Sequence, residues 1–183
     1  MDRNYVINCC ISAPGLAIGG GSKYTAKTGN TFQVKCNGII SAPLTTADLP
    51  ALTTSVGRTG AANVLGTSVI ATKMCRFYTV IGTVNESTSA LTLSLIHGDD
   101  FSLITDIGRV KYINAGSLAK NQCIVGYVCI QNGAAGDFTP GSTALDAAST
   151  AAAYIDQFGF IGPFCIKTIL KMCRCISQSL IQD

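Results

Sequence analysis

The chain has 183 residues, of which 48% are hydrophobic and 13% are charged, and its formal net charge is +3. This length suits one domain with a substantial core, and the apolar balance excludes a disordered chain. The basic residues are spread along the sequence before the C-terminal tail, which argues against a nucleic-acid interface. No stretch is long and apolar enough to span a bilayer, and we expect neither a membrane segment nor a signal peptide.

Residues 1–24 are predicted to form an extended N-terminal arm, because small residues dominate the segment and it ends in a glycine run. An ordinary frayed terminus is the alternative. The glycine run is not followed by the Gly-Lys-Ser/Thr sequence of a phosphate-binding loop, so we expect no nucleotide site there.

Residues 25–163 are predicted to form a β-rich domain that begins with a hairpin. The β-prone residues 32–36 and 39–40 flank Asn37-Gly38. Both turn residues accept a positive φ, and Asn-Gly between such runs is the strongest short hairpin signal. Residues 41–63 contain two prolines and predict mostly loop with one short strand.

A second hairpin is predicted from residues 69–84, a turn at 85–88, and the alternation of Leu91, Leu93 and Leu95 with polar residues. A period of two indicates a strand with one buried face. Residues 110–113 predict a further short strand.

Residues 123–130, CIVGYVCI, are apolar at nearly every position and predict a central strand covered on both faces. The Ala-rich stretch that follows, 143–153, predicts a loop or one helical turn before a strand at 153–158. Short strands with frequent turns predict an all-β fold, either a β-sandwich or a jelly roll.

Residues 164–183 form an amphipathic segment with helical spacing of its apolar side chains. Three arrangements stay open: a short helix docked on the domain or on a sister subunit, a basic helix on a membrane surface, or a flexible tail. The apolar stripe comprises Ile166, Ile169, Leu170, Cys173, Ile176 and Leu180.

His97 is the only histidine, at the end of the second predicted hairpin and followed by Asp99 and Asp100. It would be a general base if an aspartate oriented it towards a nucleophile. No nucleophile motif accompanies it, so we expect a structural strand-end histidine. The two aspartates lack the ligand pattern of a calcium site. We therefore expect no enzyme, no catalytic residue, no metal and no cofactor.

Nine cysteines occur, none in a CxxC motif, and we expect most of them to be small buried side chains. Cys123 and Cys129 are an even number of residues apart and should share one face of their strand. Cys173 and Cys175 flank Arg174, whose charge lowers thiol pKa, so they are the candidates for an intersubunit cross-link.

Turn-rich motifs lie at residues 11–19, 22–23, 26–31, 34–38, 126–130 and 138–148. The opening run resembles the pattern "GLaIG.gsk..vkt.nt....nG" and the late run resembles "fTPGtTaLdaAg". In both runs the chain resembles head decoration (cement) or head-fibre proteins of tailed bacteriophages. The nine cysteines and residues 165–183 depart from that pattern.

The resemblance implies a β-rich homotrimer on the capsid exterior that is made in the host cytoplasm and bridges major capsid protein subunits. It implies no nucleic-acid or membrane partner. In this interpretation the arm contacts the capsid through Ile11, Pro14, Leu16 and Ile18. The subunit interface would use Tyr127 and Ile155, with Ile169 and Cys173 from the C-terminal stripe. The alternative function is a head- or tail-fibre knob that binds the host surface.

Overall fold

The computed structural model describes residues 8–20, 23–57, 68–102, 118–133 and 136–157, and within them the fold is all-β. A 3₁₀ turn at Leu52–Thr54 is the one helical element in these ranges. The strands are β1 (Cys9–Cys10), β2 (Leu16–Ile18), β3 (Ala26–Thr28), β4 (Val34–Cys36), β5 (Ile39–Ile40), β6 (Val56–Gly57), β7 (Met74–Val84), β8 (Leu91–His97), β9 (Phe101–Ser102), β10 (Gln122–Asn132) and β11 (Thr150–Asp156).

The main sheet contains six of these strands in the order β11-β10-β7-β8-β6, and β9 pairs with the start of β7. All its pairs are antiparallel except β6 with β8. Strands β7 and β10 are each 11 residues long and rich in β-branched and aromatic side chains. The prediction of a central strand over 123–130 is confirmed, because β10 lies between β7 and β11 and its residues are buried on both faces.

A β-bulge divides β10. Ile124 lies opposite Ile81 while Gly126 lies opposite Val80, so Val125 is an extra residue in the ladder. The extra residue reverses the alternation of faces. Cys123 therefore packs into the larger core on one face of the main sheet, which we call the first face. Cys129 packs on the opposite face, the second face. The expectation that these two cysteines share a face is wrong for this reason.

Two small sheets cover the first face of the main sheet. One has the order β1-β4-β5 and the other is the hairpin of β2 and β3. Between the layers lies the larger core, which includes Phe32, Val34, Tyr78, Val80 and Val128. The second face has its own buried cluster, in which the rings of Phe77 and Phe101 stack with centroids 5.4 Å apart. The finer sandwich or jelly-roll topology stays a prediction.

The hairpin predicted at Asn37-Gly38 is confirmed by the pairing of β4 with β5. Asn37 has φ of 50° and Gly38 has φ of 81°, which are the left-handed conformations that this turn requires. The second hairpin is also confirmed, although β7 begins at Met74 rather than at residue 69. The stretch 143–153 contains turns and the start of β11. The predicted strand at 110–113 and the C-terminal segment 164–183 lie outside the described residues.

The predicted N-terminal arm needs correction for residues 8–20. Strand β1 pairs with β4, and β2 pairs with β3, inside the chain's own domain. The carboxylate of Asp156 accepts hydrogen bonds from the backbone N–H groups of Gly15 and Leu16, at 2.9 and 2.7 Å. These residues pack because their backbone donors and apolar side chains find partners on the main sheet, so no boundary separates them from the domain.

Close approach of the layers at Gly126 gives a test of this packing. A Cβ added there would lie 2.5 Å from Leu16 Cδ1 and closer still to the carbonyl oxygen of Ile155. We expect Gly126→Ala to lower the free energy of unfolding by about 1–3 kcal/mol, because β11 and β2 must shift. Gly20→Ala is the control, since the added methyl would meet only the flexible end of Lys27. Urea denaturation measures both variants, and equal stability would contradict the packing described here.

Candidate functional site

The outward side of the β1-β4-β5 sheet presents apolar side chains to solvent. Cys9, Lys35 and Ile40 lie side by side in the register of the three strands. Ile11 extends the same side, because its backbone N–H donates to the carbonyl oxygen of Gln33 at 2.9 Å. Ile11 is 46% exposed and Ile40 is 52% exposed. We call this surface, formed by Cys9, Ile11, Gln33, Lys35 and Ile40, the outer face.

The inward side of the same sheet anchors it to the core. Val34 and Cys36 alternate with exposed Lys35 and are almost completely buried. The amide of Asn8 accepts a hydrogen bond from Asn37 N–H at 2.9 Å and donates to the carbonyl oxygens of Lys120 and Gln122 at 2.8 and 2.9 Å. One side chain thus joins the β4–β5 turn to the start of β10.

Glu86 makes a second connection at the same place. Its carboxylate accepts a hydrogen bond from the Asn37 side chain at 3.3 Å and forms an ion pair with Lys120 at 3.2 Å. The only glutamate of the chain therefore helps to hold the small sheet against the main one. The sheet that carries the outer face is consequently held in place against the main sheet.

The four residues predicted for capsid contact are not brought together on one surface. Pro14 is buried and Leu16 belongs to the chain's own core, so a partner cannot reach them. Ile18 is half-buried and packs against that core. Ile11 alone among the four remains well exposed. Ile40 was missed at the sequence level because its neighbour Ile39 is equally apolar, and only the register with Lys35 assigns Ile40 to the outward side.

The predicted subunit-interface residues Tyr127 and Ile155 are adjacent across β10 and β11, on the second face of the main sheet. Tyr127 is buried, with 7% of its surface exposed, and Ile155 is half-buried. Ile169, Cys173 and Cys175 lie outside the described residues. The interface and the cross-link therefore stay predictions.

A buried arginine organises the polar interior of the first face. Arg76 is only 2% exposed, and it donates to both carboxylate oxygens of Asp100, at 2.6 and 3.1 Å. Its guanidinium also donates to the backbone oxygen and the hydroxyl of Ser68, at 3.0 and 2.9 Å. The charge is thus paired and fully hydrogen-bonded, which is the condition for burying a guanidinium.

His97 lies on the same face of the main sheet as Arg76, and it is hydrogen-bonded to Ser55. The distance from Ser55 Oγ to His97 Nδ1 is 3.0 Å, and the same hydroxyl donates to the carbonyl oxygen of Leu52 at 2.6 Å. Because the hydroxyl proton points to Leu52, the proton on the imidazole is assigned to Nδ1, which donates to Ser55 Oγ. His97 Nε2 has no hydrogen-bond partner among the described residues.

The Ser55–His97 pair lies inside the protein. A general base must accept the serine proton, and in the assigned tautomer Nδ1 carries a proton of its own. Asp100 is bonded to Arg76 and not used to orient His97. Ser55 is 4% exposed and His97 is 2% exposed, so a substrate has no access to the hydroxyl in this conformation.

The described cysteines do not assemble a metal site. Within the described ranges, no three His, Cys, Asp or Glu side chains lie close enough together to bind a metal ion. Burial raises the pKa of Cys10 to about 12, and its thiol donates to the carbonyl oxygen of Ser12 at 3.0 Å. Cys10 is therefore held as the protonated thiol.

Comparisons with protein-family models, with curated proteins and with solved structures gave no match. The resemblance to phage decoration proteins therefore depends on the turn-rich sequence motifs alone. In the described part of the chain, no helix is long and apolar enough to cross a membrane.

The Arg76–Asp100 pair gives a stability prediction. Asp100→Asn leaves a buried guanidinium without its counter-charge, and we expect the free energy of unfolding to fall by about 2–3 kcal/mol. Asp146→Asn is the control, because its ion pair with Lys23 is exposed to water and should contribute little. Urea denaturation at pH 7 tests the pair, and equal effects of the two substitutions would contradict this role of Arg76.

His97 gives a pH prediction. Burial, and then the charge of Arg76, lower the pKa of His97 below 6.5 in the folded chain. The unfolded state therefore binds the proton first as pH falls, so this contribution to stability is complete above pH 6.5. It is lost as pH falls from there to the folded pKa, by no more than about 1.4 kcal/mol per pH unit.

Urea denaturation between pH 7.5 and pH 5 measures this loss in the wild type and in His97→Gln. The variant should lack the part of the pH dependence that begins near the histidine's ordinary pKa, since the chain has no other histidine. Parallel curves for the two proteins would show that His97 does not titrate differently in the folded and unfolded states.

Proposed function

We propose that this chain is a virion structural protein, a decoration or cement protein that binds the outside of a tailed-phage head and bridges major capsid protein subunits. The observation that carries the proposal is the outer face of the three-stranded sheet, where Ile40 lies beside Lys35 and Ile11 lies beside Gln33, each isoleucine about half exposed. Large apolar side chains grouped on a supported surface are typical of a protein-binding site.

The order of the β1-β4-β5 sheet beneath the outer face matters as much as its apolar side chains. A surface that is already ordered loses little conformational freedom on binding, so more of the contact energy appears as affinity. The inward burial of Val34 and Cys36 and the hydrogen bonds of Asn8 provide that order. The matching capsid surface would be apolar with a carboxylate facing Lys35.

The proposed mechanism is mechanical. A homotrimer would carry three outer faces, and each would contact a different capsid subunit. Once one is bound, the others act at high effective concentration, so modest contacts add up to firm attachment. The outward pressure of packaged DNA would then be shared across neighbouring capsid subunits.

The arrangement of polar groups favours binding over chemistry. Arg76, Asp100 and Ser55 are committed to internal hydrogen bonds. In the assigned tautomer, the proton of the His97 imidazole is on the nitrogen that faces Ser55. The outer face, by contrast, exposes apolar side chains to which a partner can bind.

The double substitution Ile11→Ser with Ile40→Ser tests the proposal. We expect it to weaken binding to empty expanded capsids roughly 10- to 100-fold, because each isoleucine would lose part of the contact energy of a buried aliphatic side chain. Co-sedimentation with capsids assembled from the major capsid protein of the same genome measures the affinity. Circular dichroism and thermal melting establish that the variant folds.

The matched control is Val69→Ser, since Val69 is 45% exposed but lies away from the outer face, before β7. It should bind capsids like the wild type. Equal affinity of the double variant and the control would overturn the outer face as the contact. Wild-type binding to host cells with none to capsids would replace the decoration function with that of a fibre knob.

A further inference from the structure

Two cysteines from different layers of the fold meet in the core beneath the outer face. Cys36 is the last residue of β4 and is 1% exposed, and Cys123 lies near the start of β10 and is 2% exposed. Both side chains belong to the same buried core cluster. They are 87 residues apart in sequence, and no motif in the chain connects them.

The backbone on both sides holds the pair together. The Asn8 amide joins Asn37 N–H, one residue after Cys36, to the carbonyl oxygen of Gln122, one residue before Cys123. Both hydrogen bonds are 2.9 Å long. These two hydrogen bonds therefore hold the end of β4 next to the start of β10.

A glycine lies opposite Cys123 on the face that β4 covers. Cys123 pairs in register with Gly82 of β7, and a Cβ on Gly82 would lie 3.7 Å from Val34 Cγ1, which is ordinary van der Waals contact. Val34 is on the same inward side of β4 as Cys36. Strand β4 thus lies directly on the β7–β10 ladder, with no side chain of residue 82 between them.

We propose that Cys36 and Cys123 form an intramolecular disulfide when the chain folds in the presence of a low-molecular-weight disulfide such as oxidised glutathione. This bond would join β4 of the small sheet to β10 of the main sheet. It would lock the support of the outer face to the core of the domain.

The chemistry is thiol–disulfide exchange. The Cys36 thiolate attacks one sulfur of oxidised glutathione, the S–S bond of the oxidant breaks, and one glutathione thiolate leaves. The Cys123 thiolate then attacks the Cys36 sulfur of the mixed disulfide and releases the second glutathione. The two protein thiols lose two electrons, the oxidant gains them, and the protons of the protein thiols end on the two glutathione molecules.

The order in which the thiols react follows from their surroundings once β4 has docked on β10. The neighbouring Cys123 thiol lowers the pKa of Cys36, which favours Cys36 as the attacking thiolate. The neighbouring Cys36 and burial raise the pKa of Cys123, so its thiol reacts second. Cys10 lies nearby, but burial keeps it protonated and its S–H is bonded to Ser12.

The experiment refolds the full-length chain from urea in a buffer of reduced and oxidised glutathione, so that burial does not limit access. Remaining thiols are blocked with iodoacetamide, and the protein is digested with trypsin without reduction. Cleavage after Lys35, Arg58, Lys120 and Lys167 gives a peptide 36–58 with Cys36 as its only cysteine and a peptide 121–167 that contains Cys123. We expect these two peptides to be joined, with fragment ions placing the bond at Cys123 rather than at Cys129 or Cys165.

Two substitutions make the test specific. Cys123→Ser should abolish the cross-link of peptide 36–58. Cys129→Ser should keep it, because Cys129 lies on the same strand with the same 2% exposure but on the other face of the sheet. In wild type, the oxidised protein should melt roughly 5–15 °C above the reduced protein, since the bond closes a long loop.

Three results would overturn the proposal. The first is recovery of both Cys36 and Cys123 as alkylated thiols after refolding. The second is a link from peptide 36–58 to peptide 4–23, which carries Cys9 and Cys10. The third is a cross-link to peptide 121–167 that persists in Cys123→Ser. Capsid binding plays no part in the measurement, so its outcome is separate from that of the proposed function.

Discussion

Strands β7 and β10 pair with each other along most of their length and are buried on both faces, and this double burial constrains the rest of the molecule. A strand that is buried on both faces accepts a polar side chain only if that side chain finds a partner inside the protein. Arg76 is the extreme case on β7. Its bonds to Asp100 and Ser68 fix the segment after β8 and the segment before β7 that carry those partners.

The same constraint explains why the N-terminal residues belong to the domain. The first face of the β7–β10 ladder needs a cover of apolar side chains, and β1, β2 and β4 contribute Cys10, Leu16 and Val34 to it. Gly126 lacks the side chain that would keep Leu16 of this cover away from the ladder. The small sheet is thus ordered by the core, and its outward side becomes available for a partner.

Local signals in the sequence predicted much of the fold. Asn37-Gly38 predicted its hairpin because the turn chemistry is contained in two residues. The apolar run at 123–130 predicted β10 because burial on both faces leaves a continuous apolar pattern. The alternation around Leu91, Leu93 and Leu95 predicted β8 because a strand with one more buried and one more exposed side alternates apolar and polar residues.

Long-range signals were not available from the sequence. The bulge at Val125 reverses the faces of Cys123 and Cys129, and only the pairing with β7 reveals it. The small residues of 8–20 suggested a detached arm, because nothing local indicates that Asp156 would hold Gly15 and Leu16. The grouping of Ile11 with Ile40 and the burial of Cys36 and Cys123 in one core cluster likewise depend on partners far away in the chain.

We propose that the small sheet, as part of the domain, presents Ile11 and Ile40 to the capsid. A cryo-EM map of intact particles of the source virus, with this chain fitted as a rigid body, tests this arrangement. We expect density over junctions of major capsid subunits, with the outer face against the shell. Density confined to the tail or to fibres, or a chain seated on the shell by another surface, would contradict it.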